Sequence, residues 1–570
     1  MTQERFWASI DLEKAPPGAR SPAEDAVTSG LLQFRPADGL VIHASRTLEV
    51  RRICHAVIIG QIFGDLNVLT KAALRPNDVV GSCWGNYLAL HLTQDGRVDW
   101  LLRAPLGHLP VYTSTSPGSF YVSSHADRLP PVQNGSFGLD WDFVAKHLAF
   151  MHLKTARTGL IGVSELLGGE CLDFTRSPVQ RSLVWSPWRF TCEELEVRDF
   201  GEACSLLTER IDSTVRCLAP PAGKYLLELS GGLDSSILAA ALGACHADVR
   251  AVTLSTGTAE SDEQIYAQTA AQAVGLEVDV RQVGQSLLSS AAPDQEARPG
   301  LPRILGAADA LLAHEGIEHG ITSFISGAGG DCVFATPNAA SAATDALIRL
   351  GLGPPVLRTI EGLARYHNAS VWSVAARAWK QLRDRSHRRS WPKTQGYLSK
   401  ASVPSDCPLH PWLKEPENAL PGKRSHIEAI LASLAHVDGY HRHSIAPSRF
   451  PLLSQPVVEA ALRVPSWLWV TGGQDRAVAR TAYAGRLPPL ILGRRTKGAL
   501  DSYALESIQR QSAKLLPFLL EGQLARHGLL NLAKVESVLQ GKFERGDKTG
   551  HLLLPLIDTE SWARAWLGAP

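Results

Sequence analysis

The sequence predicts an α/β protein in two parts. A β-rich segment spans residues 1–195, and a parallel-sheet segment with a helical C-terminal portion spans 196–570. Three observations carry this. Short apolar runs broken by Gly, Asn, Asp and Pro dominate the first third. After residue 200, strand-length and helix-length patterns alternate, as in parallel α/β units. Between them, Leu226–Leu229 breaks into Ser230-Gly231-Gly232-Leu233-Asp234-Ser235-Ser236 and then into small helix-favouring residues, which reads as strand, tight loop and helix start.

In chain order, Arg51–Asp65, Asn86–Leu92, Val98–Leu102 and Ser119–Ser124 read as strands. From Arg198 the period changes: Phe200, Ala203, Leu206, Leu207, Ile211, Val215 and Leu218 recur at helical spacing and open the second part. There follow the Leu226 strand and its helix, strand Val249–Thr256, helix Asp262–Val274, strand Glu277–Val283, helix Ile304–His314 and strand Ile321–Ile325. A chain of 570 residues exceeds what one core supports, so at least two domains are expected.

The loop at Ser230 is an anion site by construction. Gly231 and Gly232 let the backbone approach a ligand, the helix start offers unpaired N–H groups, and Ser230, Ser235 and Ser236 add hydroxyls. Asp234 among phosphates requires an intervening cation, and hard oxygen ligands point to Mg²⁺. A second glycine-rich loop, Ser326-Gly327-Ala328-Gly329-Gly330-Asp331, ends the Ile321 strand and again carries one Asp. Ligands of parallel sheets lie beyond the carboxyl ends of the strands, so both loops, with Leu254 and Ser255 at the end of the neighbouring strand, fall at one edge. Asp234 and Asp331 are the candidate metal ligands.

Composition excludes other classes. Lys plus Arg number 57 against 56 Asp plus Glu, a net charge of +1, which gives no reason to expect bulk nucleic-acid or membrane binding. No stretch is long and uncharged enough to span a bilayer, so a cytoplasmic protein is expected. Nine cysteines, scattered without zinc spacing, suit a reduced interior. Cys332 reads as a buried structural thiol. The basic run Lys380–Arg389, flanked by Trp372, Trp379 and Trp391, reads as a solvated helix face, with docking of an acidic peptide as the alternative. His436, His441 and His443 lack metal-site spacing.

The Ser230 loop is not a Walker or dinucleotide loop. It resembles the pyrophosphate loop of ATP-pyrophosphatases, which cleave ATP to AMP and pyrophosphate. Ile59–Phe63, Gly85–Ala89, Arg103–Tyr112 and Val122–Ser124 resemble eroded blocks of the Ntn-type glutaminase domain of asparagine synthetases, in the same order. The resemblance therefore implies a degenerate glutamine amidotransferase-like domain over 1–195 and an asparagine synthetase-like, ATP-dependent ligase domain over 196–570. Such glutaminases use an N-terminal Cys. Here the first Cys is Cys54, inside a predicted strand, and Thr2 or Ser9 would need a base and a matching free amine, so no glutaminase activity is expected.

The second loop is similar to the synthetase block whose Asp binds Mg²⁺, with Ala328 and Cys332 where that block has Glu. Ser448–Pro465 and Leu487–Gly498 resemble later synthetase blocks. By similarity to β-lactam synthetase, Lys497 is the candidate cation for adenylation, with Arg495 the rival if the register slips. His410–Leu413 and Leu420–Arg424, which read as turn-rich, are similar to the lasso-peptide cyclases of this superfamily. The resemblance implies ATP and Mg²⁺ as cofactors. It also implies a peptide Asp or Glu carboxylate that is adenylated and joined to the peptide's N-terminal amine. The implied partners are a precursor peptide, a leader peptidase and a leader-binding protein. A small-molecule amide ligase, either ammonia-dependent asparagine synthetase or β-lactam type, is the alternative. A tRNA thiouridine-type modifier would need a basic surface and sulfur-handling cysteines, and a dead scaffold would have lost Asp234 or Asp331.

Overall fold

A computed structural model describes residues 5–12, 31–130, 137–257, 263–284, 287, 296–337, 340–384, 390–495, 500–541, 543 and 548–568. The first part is a sandwich of two antiparallel sheets. One has the order β10-β8-β9-β1-β3-β2 and the other β12-β11-β7-β6-β5-β4. The strands are β1 (Phe6–Asp11), β2 (Leu32–Ala37), β3 (Leu40–Ala44), β4 (Val50–Ile53), β5 (Ala56–Gly64), β6 (Cys83–Leu92), β7 (Val98–Arg103), β8 (Tyr112–Ser116), β9 (Ser119–Ser123), β10 (Ser164–Glu165), β11 (Glu170–Asp173) and β12 (Gln180–Leu183).

Alternation decides the layers. Val57 and Ile59 of β5 join Leu88, Leu90 and Leu101 in the core between the sheets, while Ile58, Ala89 and Leu102 face the other way into the core shared with the second part. The run expected as a single strand over Arg51–Asp65 is a hairpin. β4 and β5 pair antiparallel from Ile53↔Ala56 outward, and Cys54 sits exposed in the turn with φ 52°. Apolar residues on both sides of a two-residue turn without Gly or Asn concealed it.

The second part is built on a five-stranded sheet, all parallel, in the order β15-β14-β13-β16-β17: β13 (Lys224–Glu228), β14 (Asp248–Ser255), β15 (Val278–Gln282), β16 (Ser323–Ile325) and β17 (Ser448–Arg449). Helices α1 (Phe200–Leu218), α2 (Leu233–Ala244), α3 (Gln264–Ala273) and α4 (Gly306–Glu318) surround it. The chain winds outward from β13 to β15, then returns to the far side of β13 as β16. The topological switch point therefore lies between β13 and β16, the two strands that feed the glycine-rich loops.

Helices Ser341–Leu350, Pro354–Tyr366 and Val371–Arg383 form a satellite cluster around Ala343, Leu363 and Val374. Trp372 and Trp379 project from the last of these into solvent, whereas Trp391 is buried. The end of the basic run, 385–389, lies outside the described residues. Leu420–Arg424, expected as a turn, opens the helix Pro421–Ser433 instead, because Pro at the first helical position costs no hydrogen bond.

The two parts are joined by a buried charge cluster. Glu165 is fully buried and meets Arg103 at 2.6 Å, Lys154 at 2.9 Å and Arg298 of the second part; Lys154 also reaches Asp438. Burial pushes the Glu165 carboxyl up, but Lys154, Arg298 and Arg103 outweigh it and hold the group well below the usual carboxylate range. Among the described residues no helix is long and apolar enough to cross a membrane.

Candidate active site

The sequence of the first loop forces a sharp turn. Gly231 has φ 65°, and a Cβ there would lie 2.4 Å from the backbone of Tyr266 and Ala267. α2 then starts at Leu233, so its first-turn N–H groups, which have no intrahelical acceptor, point out of the sheet edge. The second loop packs against this start. A Cβ on Gly327 would come within 2.9 Å of the Ser235 nitrogen, and one on Gly330 within 2.7 Å of the Asp234 Cβ. Only glycines allow the two loops to touch.

Between them opens a cavity of about 330 Å³, a size suited to a small-molecule ligand. It gathers Ser230, Gly232, Asp234, Ser235, Leu254, Ser326, Gly327, Gly329 and Asp331 of the residues expected from sequence. Leu229, Val252 and Leu254 supply an apolar wall, and Glu228, Thr253, Thr256 and Glu263 add polar groups that the sequence reading did not single out. Gly231 shapes the turn without lining the cavity. Ser236 is fully buried one position along the helix, its hydroxyl without a hydrogen-bond partner, and Ser255 is turned to the Gly257 N–H at 3.3 Å. The helical period explains Ser236: consecutive residues on α2 are about 100° apart.

Two arginines complete the site. Arg476, in the left-handed region at φ 53°, directs Nη1 at both oxygens of Asp234, 3.1 and 3.2 Å away, and its Nε at Asp475, 2.8 Å away. Burial lowers its pKa, but Asp234, Asp475 and the field of Asp331 outweigh that and raise it. Arg494 lies over the Tyr266 ring at 3.9 Å, donates to Glu263 at 2.5 Å and reaches the Ser230 carbonyl at 3.4 Å. Arg495, the rival candidate for the adenylation cation, is exposed and donates to the Gly473 carbonyl at 3.4 Å, outside the cavity lining. Lys497 lies outside the described residues. Below the site, Arg442 ties Glu228 at 2.6 Å to Asp309 at 3.5 Å, and Asp309 accepts the backbone N–H groups of His441 and Arg442. Cys332 is half-buried, and its N–H donates to the Asp331 carboxylate at 3.1 Å.

The donor set fits a hard divalent cation. Two carboxylates from different loops, Asp234 and Asp331, line one cavity, and anionic oxygen donors of this kind suit such an ion.

Two glycine-rich loops meeting at the switch point of a parallel sheet define a nucleotide-binding enzyme of the parallel α/β class. The chain belongs to the asparagine synthase family, whose description Asparagine synthase matches residues 207–564. It is an ATP-dependent amide ligase, of the kind that forms a carbon–nitrogen bond and releases AMP and pyrophosphate. The sandwich lies outside the matched residues. No curated protein matches the chain.

Proposed function

We propose that the ligase closes a ring in a peptide, as a lasso-peptide cyclase. The observation that carries this is the state of the thiols in the sandwich. Cys83 and Cys171 are raised by burial to about 11 and about 12, and Cys54 stands in an exposed turn. Burial thus holds the Cys83 and Cys171 thiols protonated at neutral pH. The Asn86 side chain accepts the Leu109 N–H at 2.5 Å, and Ile59, where a glutaminase has Asn, is fully buried. Ammonia from glutamine is therefore not the acceptor, and the amine belongs to the substrate itself.

In the first step a side-chain carboxylate oxygen of the peptide bonds to the α-phosphorus of ATP. The bond from that phosphorus to the bridging oxygen breaks, and pyrophosphate leaves toward Ser230, Ser235 and the α2 N-terminus. In the second, the peptide's N-terminal amine attacks the acyl carbon, AMP departs with the former carboxylate oxygen, and the nitrogen gives up a proton. Asp234 and Asp331 would hold Mg²⁺, which supplies charge neutralisation for the leaving pyrophosphate. Arg476, released from Asp234, adds a phosphate-facing cation, and Arg494 fixes the loop through the Ser230 carbonyl. Lys497 is kept as the cation for the adenylation transition state.

Mass spectrometry of a precursor peptide incubated with the enzyme, its leader peptidase and leader-binding protein, ATP and Mg²⁺ tests this. Loss of one water from the released core, dependent on ATP and absent with Asp234→Ala, is expected. An unchanged core, with ATP cleaved to AMP and pyrophosphate when aspartate and ammonia are supplied, would transfer the assignment to a small-molecule ligase.

A further inference from the structure

A second cavity, of about 500 Å³, lies where the sandwich meets the ligase part and shares no lining residue with the nucleotide site. Its sandwich side includes Trp84, whose ring packs on Phe63 at 4.8 Å. Its other side is made by α1 and the helix Gln455–Arg463, which run antiparallel: Ser454 meets Thr214 at 3.5 Å near one end, and the Val197 N–H meets the Arg463 carbonyl at 3.0 Å at the other. Arg210, Glu459 and Arg463 thus face one groove, with Phe190 beside them.

The polar groups lining this cavity are unevenly engaged. Gln455 is 6% exposed and spends its amide N–H groups on the Val80 carbonyl, 2.8 Å away, and Glu459 Oε1, 2.9 Å away, leaving its own oxygen buried with no donor. Glu459 Oε1 also accepts the Trp185 indole N–H at 2.7 Å, and burial pushes its carboxyl up. Arg463 gives Nε to the Leu195 carbonyl, and Arg210 has only its chain neighbour Glu209, 3.9 Å away, as an ion-pair partner among the described residues. Two guanidinium groups, an acceptor pair and two aromatic rings share one space.

We propose that this cavity binds the α-carboxylate of an apolar or aromatic amino-acid residue. The carboxylate lies between Arg210 and Arg463, the amino-acid nitrogen donates to the Glu459 carboxylate, and the side chain rests on Trp84 and Phe190. The same chemistry is offered by a free amino acid and by a peptide C-terminus. The inference does not depend on the ring-closing reading.

Calorimetric titration of the full chain with L-phenylalanine, N-acetyl-L-phenylalanine and L-phenylalanine amide tests it, with ATP binding followed in parallel. At least one carboxylate form is expected to bind and the amide to bind at least about tenfold more weakly, the loss of one charge-assisted hydrogen bond. Arg210→Gln and Arg463→Gln are each expected to weaken binding about tenfold while ATP affinity stays unchanged. Binding of the N-acetyl form assigns a peptide C-terminus; binding of the free amino acid alone assigns an ammonium seated on Glu459. Failure of both carboxylates to bind, equal binding of the amide, or full affinity in Arg210→Gln overturns the proposal.

Discussion

Gly327→Ala tests whether contact between the two glycine-rich loops shapes the nucleotide site. The new Cβ would stand 2.9 Å from the Ser235 nitrogen, 3.1 Å from the Asp234 carbonyl carbon and 3.2 Å from the Ser235 Cα. All three are backbone atoms at the start of α2, so no side chain can yield. Restoring ordinary contact at about 3.4 Å or more moves the loops apart by roughly half an ångström, which stretches an amide–phosphate hydrogen bond from about 2.9 Å to about 3.4 Å, where most of its strength is lost. One such bond to a charged acceptor is worth about 1.5–3 kcal/mol, so ATP affinity in the presence of Mg²⁺ should fall at least about tenfold. Gly306→Ala is the control. Nothing lies within 4 Å of its Cβ, it opens α4, and it should leave ATP binding unchanged with equal or slightly higher stability. Calorimetric titration with ATP reads both. Wild-type affinity in Gly327→Ala, with an unchanged melting temperature, would refute the reasoning, because the loops would then tolerate separation.

Four further outcomes are expected. Asp234→Asn should lower ATP-dependent pyrophosphate release by about 100-fold or more and remove its response to Mg²⁺, measured by phosphate-coupled assay across a metal titration. Glu165→Gln leaves Arg103, Lys154 and Arg298 without their buried anion, and should cost about 3–5 kcal/mol in urea unfolding followed by tryptophan fluorescence. Asp345 is fully buried, accepts from the Gly422 N–H and the Ser466 hydroxyl, and is raised by burial to about 6. Between about pH 4 and about pH 6 the folded state holds a proton the unfolded state has lost, so this group makes stability fall by up to about 1.4 kcal/mol per pH unit as pH rises; Asp345→Asn should flatten that window in pH-dependent denaturation curves. Glutamine incubated with the protein should release no glutamate above background, read by a coupled dehydrogenase assay.

The two loops were legible because their chemistry is local: glycines, hydroxyls and one Asp each follow an apolar strand, and a parallel sheet places such loops at one edge. The onset of α1 was legible in the change of period near Phe200. What escaped is non-local. Arg476 reaches Asp234 across 242 positions from a left-handed backbone at a helix start, and nothing in Asp475-Arg476-Ala477 announces that geometry. Glu263 and Arg494 acquire meaning only through each other and Tyr266. Arg494 and Arg495 are neighbours in a basic run, and which one turns inward is decided by packing on α3 rather than by spacing.

The cluster around Glu165 bears on how this chain came to keep its sandwich. A half that lies outside the matched ligase residues would ordinarily be free to shrink or disappear. Here its departure would take Glu165 from Arg298 and Lys154 from Asp438, so that one cation and one anion of the ligase half would lose the ion-pair partners they now have. The sandwich serves as counter-ion to its neighbour, and removing it would have to be accompanied by neutral replacements at Arg298 and Asp438 to spare the remainder two unmatched charges.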